Sequence, residues 1–496
     1  VVVLAVGLAG CVSPPAPSGL DEGTGSRPFL EQETTWHDCG DGLECSEIAA
    51  PLDWDDPGGG EIELAVIRRP ASSGDPSGVL FMNPGGPGAS GIDMVEAGGR
   101  MTRGVAESYD VVGWDPRGVG ASAAPDCLGD DELDAFLFGT FDSPYGSEQW
   151  LAELESEAAA FAAGCERDAG ALLAHLDTVS TAKDLELLRV LLADGQLNYL
   201  GFSYGTLIGA TYAELFPEHV GRMVLDGALD PSLAPFEMLA QQYAAFESAL
   251  TAYVTDCLEA PYCPFTGTVD ESLRAIGALI GGVDGRDLVG IDGRELDSAS
   301  VATGTAAALY SPWAWPALSQ AFAALQDDDP EVFLALADTY VHRSPDGSYP
   351  GDFIEAYFMI SCVDSDFAAD EASPLDRLAE IAERAPVLGR YFSYDDYAPL
   401  DAVCSRWPAA PADRPPAYDA VGAPPILVIG TTNDPATPYT WAEALASQLS
   451  SGVLVTLEGE GHTAYGLRIP CIDTLVDAYL LDGTVPQEDP HCRGPA

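Results

Sequence analysis

The sequence predicts an α/β protein: a mostly parallel β-sheet with helices on both faces, interrupted late by an inserted, mainly helical lid. Three observations carry this. Short apolar runs alternate with helix-like stretches along much of the 496 residues, and that alternation argues for parallel strands covered on both sides. One of the runs leads straight into Gly201-Phe202-Ser203-Tyr204-Gly205, a glycine-flanked serine where a strand passes into a helix. The rhythm then breaks over residues 231–420, which are rich in Ala, Leu and Asp and offer few strand-like runs.

Residues 62–67 alternate as a half-buried strand does. Residues 78–82 form a buried-strand candidate that runs into a glycine-rich loop, and residues 110–114 form another that ends at Asp115-Pro116-Arg117-Gly118. Further strand candidates are 197–202, 223–225, 426–429 and 453–457, with helix-like stretches at 181–192 and 206–215 around the serine. No internal repeat is visible. The expected organisation is a signal remnant and lipobox (1–11), a flexible tether (12–35), the first part of an α/β core (36–230), the lid (231–420) and the second part of the core (421–496). A lid inserted between two late strands roofs the carboxyl edge of the sheet, where ligands bind in open α/β folds.

The charge is far from balanced: 79 acidic against 21 basic residues, net -58, with Lys183 the only lysine. Such a surface repels nucleic acid and anionic lipid, so neither is an expected partner. Solubility or adaptation to salt explains it better than one cationic substrate, although an acidic field attracts peptide amino termini. The cysteines are Cys11 and then ten more. Neighbours along the chain would pair as Cys39-Cys45, Cys127-Cys165, Cys257-Cys263, Cys362-Cys404 and Cys471-Cys492, a connectivity that sequence alone does not fix. No CxxC spacing or histidine cluster points to structural zinc, and no metal or organic cofactor is expected. Disulfides imply an oxidising, extracytoplasmic setting. Residues 1–9 are an apolar run too short to span a bilayer, and read as the end of a secretory signal. Leu8-Ala9-Gly10-Cys11 resembles a bacterial lipobox, and a Pro/Gly/Ser-rich tether follows it. The expectation is a secreted protein held at the cell surface by a lipid on Cys11, ahead of a plain signal with a stray cysteine.

G-x-S-x-G is weak evidence alone, but between a strand and a helix it describes a sharp turn that exposes the serine at the edge of an α/β-hydrolase sheet. Ser203 is therefore the candidate nucleophile, and serine needs a base beside it. Of the six histidines, His462 follows the 453–457 strand in Glu458-Gly459-Glu460-Gly461-His462-Thr463, a loop able to carry it over the sheet edge. His37, His175, His219, His342 and His491 lack that setting. The acid that orients the imidazole is assigned to Asp434, which follows the 426–429 strand in Asn433-Asp434-Pro435-Ala436-Thr437-Pro438; Asp226, at the end of the previous strand, is the competitor. Asn83-Pro84-Gly85-Gly86-Pro87-Gly88-Ala89-Ser90-Gly91 supplies unobstructed amides for an oxyanion. The expected donors are the amides of Gly86 and Tyr204. A phosphate-binding loop fits poorly, because no lysine follows these glycines.

Together, residues 83–91, 110–122, 201–206, 434–438 and 461–462, with Cys39 and Cys45 ahead of Pro51-Leu52-Asp53-Trp54, resemble the prolyl-aminopeptidase-like serine peptidases, more narrowly the secreted bacterial tripeptidyl aminopeptidases. The resemblance spans nearly the whole chain beyond the tether. It implies a canopy over the site and release of short peptides, often tripeptides, from a free N-terminus. It also matches Thr437 to the threonine of an Asp-Pro-x-Thr-Pro turn, where a hydrogen bond within the triad and a plain turn hydroxyl are both open. An exopeptidase further needs a carboxylate for the substrate ammonium. Glu355, Asp364 and Asp366, near Cys362, are the candidates, while Arg117 reads as a structural ion-pair residue. Peptides with a free N-terminus are thus the expected partners. An esterase or lipase on the same fold and a catalytically idle surface-binding lipoprotein are the rival readings.

Overall fold

The computed structural model describes residues 20, 25–141, 143–193, 195–367, 372–487 and 489–494. The expected signal remnant and Cys11 lie outside these residues. The tether expected over 12–35 is shorter than that at its C-terminal end. Arg27–Leu30 is a helical turn with Phe29 buried, and the Gln32 side chain exchanges hydrogen bonds with the backbone of Ala49. A polar composition concealed one aromatic anchor.

One sheet runs through the described residues. Its strands are β1 (His37–Gly40), β2 (Leu43–Pro51), β3 (Glu61–Arg69), β4 (Val79–Asn83), β5 (Asp110–Trp114), β6 (Leu197–Phe202), β7 (Val220–Asp226), β8 (Ile426–Asn433), β9 (Gly452–Glu460) and β10 (His491–Arg493). Their spatial order is β1-β2-β3-β5-β4-β6-β7-β8-β9-β10. The first three pairings are antiparallel, and every pairing from β5–β4 onward is parallel. All seven strands expected from the sequence are present. The three that were not expected, β1, β2 and β10, lie toward the edges of the sheet.

The parallel strands read as continuous apolar runs because both of their faces are covered. Along β4 and β5, Phe81, Val112 and Trp114 enter one core, while Leu80, Met82 and Val111 enter the other. Helices Thr178–Leu192 and Tyr204–Leu215 contribute Leu185, Leu188, Ile208 and Tyr212 to the first core. Helix Pro470–Asp482 contributes Ile472, Val476 and Leu480 to the second. Asp177 caps Thr178–Leu192, accepting from the Ser180 amide.

From β4 the chain goes to β5 on one side and then crosses from β5 to β6 on the other side of β4, so the strand order reverses there. Crevices of open α/β sheets form at such switch points, at the carboxyl ends of the strands. Between β7 and β8 the chain forms a helical lid, including Pro235–Glu259, Ser298–Leu309, Phe353–Asp364, Gly389–Asp395 and Tyr397–Cys404. Among the described residues five disulfides pair chain neighbours as expected, and Cys362–Cys404 joins two of the lid helices. No helix among the described residues is long and apolar enough to cross a membrane.

Arg117 is structural. Its guanidinium is fully buried and pairs with Asp184 at 2.6 Å, donates to the carbonyls of Pro51, Leu52 and His175, and shares Asp184 with the Trp54 indole N–H. That network explains why Asp115-Pro116-Arg117-Gly118 and Pro51-Leu52-Asp53-Trp54 occur together. Breaking such a buried pair costs about 3–5 kcal/mol.

Candidate active site

Ser203 stands between β6 and helix Tyr204–Leu215 with φ 54° and ψ -126°, a conformation a residue with a Cβ adopts only under constraint. The constraint is visible on both sides. The Ser203 amide donates to the Asp226 carbonyl at 2.9 Å, and the Ser203 carbonyl accepts from the Thr206 amide and hydroxyl. Tyr204 opens the helix, so its amide belongs to the first turn, whose donors have no intrahelical acceptor. The loop after β4 packs against this turn. At Gly85, φ is +100° and a Cβ would stand 2.9 Å from the Tyr204 nitrogen, so only glycine fits.

His462 and Asp434 come from the loops after β9 and β8. The imidazole Nδ1 lies 2.9 Å from each Asp434 carboxylate oxygen, which leaves Nε2 as the free ring nitrogen. Asp434 is buried and its oxygens also accept from the amides of Ala436 and Thr437 and the Thr437 hydroxyl. Thr437 Oγ1 is 3.3 Å from His462 Nδ1, so the hydroxyl belongs to the cluster and is more than a turn-former. The His462 amide donates to the Tyr310 carbonyl, and the Tyr310 ring meets the imidazole edge-on. The lid thus holds the histidine loop.

Asp226, the rival acid, has another task. Its fully buried carboxylate accepts from the amides of Ala464 and Tyr465, just past His462. Burial raises its pKa, and the two amides and Arg100 act against that.

Ser203, Tyr204, Gly86, Thr437 and His462 line a single cavity of about 480 Å³ under the lid. The three lid acids expected to hold an ammonium fare differently. Glu355 turns away: its carboxylate accepts from the Leu128 amide, and burial pushes it up to about 7. Asp366 is exposed and lies outside the cavity wall. Asp364 lines the cavity, but both its oxygens accept from Thr178. Helical phase explains the difference. Phe353, Ile354, Tyr357, Phe358, Ser361 and Asp364 form the stripe that faces the cavity, and Glu355 lies off it.

Asp395 and Asp396, which are not among the residues singled out from the sequence, line the same cavity. Asp396 accepts from the Tyr243 hydroxyl at 2.7 Å, and burial pushes it up to about 6 against the pull of Tyr243 and Tyr357. Asp395 accepts from Thr303, and burial with neighbouring Asp297 drives it well upward. Among the described residues neither forms an ion pair with Arg or Lys. The only local signal was an acid pair set among Phe392, Tyr394 and Tyr397. Among the described residues no group of three or more His, Cys, Asp or Glu side chains is placed to hold a metal ion.

Residues 78–272 match the α/β-hydrolase fold family and residues 387–492 the TAP-like protein family. The chain is 36% identical to the serine protease Hip1 of Mycobacterium tuberculosis over 485 residues, 94% of this chain and 92% of the relative. It is also 36% identical to a carboxylesterase B of the same organism over 488 residues, 95% and 92% of the two chains. Similarity to a tripeptidyl aminopeptidase of Streptomyces lividans is 29% over 481 residues, 92% of this chain and 86% of that one.

Proposed function

The chain belongs to the α/β-hydrolase family that includes these mycobacterial relatives, a serine hydrolase lineage, and from that premise we propose that it is an exopeptidase releasing short peptides, tripeptides foremost, from free amino termini. Ser203 Oγ attacks the peptide carbonyl while His462 Nε2 takes its proton, and Asp434 holds the imidazole and balances its charge. The amides of Gly86 and Tyr204 receive the oxyanion. His462 then protonates the leaving amine, and water releases the acyl-enzyme by the same route.

One observation favours a peptide amino terminus over an ester: the carboxylates of Asp395 and Asp396 in the wall of the cavity that ends on Ser203 and His462. Buried carboxylates without a cation carry an uncompensated desolvation cost, which a substrate ammonium relieves. Asp396 replaces Glu355 and Asp366 as the proposed anchor. The five disulfides support an extracellular site of action, where peptides with free N-termini are the partners.

The test compares a tripeptide amide having a free amino group with its N-acetylated twin. The exopeptidase reading requires turnover of the first and near-complete loss on the second. Equal turnover of both, or preference for short acyl esters, supports the esterase reading instead.

A further inference from the structure

Helix Phe353–Asp364 belongs to the lid, yet one end packs on the loop that carries Gly86 and the other is linked to Tyr204 through Thr178. At its start it packs on the loop after β4. A Cβ at Gly88 would stand 2.6 Å from the Phe353 carbonyl oxygen, and one at Gly86 would stand 3.2 Å from the Phe353 ring. The Phe353 ring is itself pinned by a parallel stack on His342, with ring centres 4.0 Å apart. At the far end, Asp364 accepts from the amide and hydroxyl of Thr178, and Thr178 Oγ1 lies 2.6 Å from the Tyr204 hydroxyl. The threonine has one hydroxyl proton and directs it to the carboxylate, so the tyrosine donates to the threonine. All three side chains in this relay are buried, and a buried polar chain with every member satisfied fixes geometry strongly.

We propose that this lid helix braces the oxyanion hole from both sides. Its first turn fixes the Gly86 amide, and its last residue fixes Tyr204 through Thr178, which makes Thr178 and Asp364 positioning residues for acyl transfer. The inference rests on Gly86 and Tyr204 being the donors. It makes the lid part of the catalytic frame as well as a wall of the cavity. Cys362–Cys404 ties the same helix to Tyr397–Cys404, beside the Asp395–Asp396 pair.

The test uses the whole enzyme and its Thr178→Val, Thr178→Ser and Tyr204→Phe variants, each checked for a cooperative melt. Three quantities are measured: kcat and KM on a free-amino tripeptide amide, affinity for a tripeptidyl trifluoromethyl ketone, and inhibition by the free tripeptide. The ketone joins Ser203 Oγ to its carbonyl carbon, passes the serine proton to His462 and places an alkoxide in the oxyanion hole, whereas the tripeptide does not. Thr178→Val is expected to lower kcat and ketone affinity about tenfold while KM and tripeptide inhibition stay within about twofold, because a slightly misplaced donor costs the tetrahedral state alone. Thr178→Ser restores both, and Tyr204→Phe, which keeps ring and amide, reproduces the loss should the valine variant not fold. Parent-like kcat and ketone affinity in the valine and phenylalanine variants overturn the brace, as does an equal loss of ketone and tripeptide binding. A parent enzyme that hydrolyses the amide but forms no adduct at Ser203 overturns the triad reading, and the brace with it.

Discussion

His462 Nδ1 lies equidistant, at 2.9 Å, from the two carboxylate oxygens of Asp434. Those oxygens are also held by the Ala436 and Thr437 amides and the Thr437 hydroxyl. The acid is thus fixed before it meets the imidazole, and the tautomer that leaves Nε2 free for a proton is selected by geometry.

Asp434→Asn keeps the turn but offers an amide where the carboxylate stood, which favours the wrong tautomer. It is expected to fold normally and to lose about 10³–10⁴ in kcat. Asp226→Asn, by contrast, weakens the anchor of Ala464 and Tyr465. It is expected to lower Tm and to cost activity only about tenfold, through the position of the histidine loop. Steady-state kinetics with thermal melts on both variants separates the two roles, and the reverse ranking would reassign the acid.

In the proposed exopeptidase, Asp396 is the anchor for the substrate amino terminus. Its carboxyl is pushed up to about 6 by burial, so the charged form that binds an ammonium takes over as pH rises through that value. The substrate amino group loses its own charge near pH ~8. The ratio of kcat/KM for free over N-acetylated tripeptide amide therefore rises through about pH 6 and falls again on the alkaline side. Asp396→Asn is expected to reduce that ratio about 10–100-fold, mainly through KM. A pH-independent ratio in the parent enzyme would remove Asp396 as the anchor.

Glu355 makes stability depend on pH. Because folding raises its pKa from 4.5 to about 7, the folded chain binds the proton more tightly. Its contribution is fully present below the unfolded value and is lost as pH rises through the folded one. Glu355→Gln removes that titration and retains an acceptor for the Leu128 amide. The Tm of the variant relative to the parent is expected to rise between about pH 5 and about pH 8. A difference independent of pH would contradict the buried-charge account.

Ser203, His462 and Asp434 were legible as candidates because each follows a strand whose apolar run marks it, and a parallel sheet brings strand ends to one edge. Asp434 and Asp226 both satisfied that rule. What distinguishes them is which loop each carboxylate meets, His462 itself or Ala464 and Tyr465, and this depends on backbone turns with no one-residue signature. The substrate wall was less legible. Asp395 and Asp396 reach the cavity only through the packing of lid helices far apart in sequence, and 79 acidic residues hide two that matter. Glu355 was a matter of helical phase: the aromatic stripe through Phe353, Tyr357 and Phe358 was readable, and following it excludes position 355. The edge strands β1 and β10 are four and three residues long, too short for alternation to register.

The most direct test of the whole account is the kcat of Ser203→Ala on the free-amino tripeptide amide. A fall of about 10⁵–10⁶-fold, with the melting transition retained, is the predicted result. Turnover close to that of the parent protein would contradict it, because the reaction would then proceed without a covalent bond at position 203.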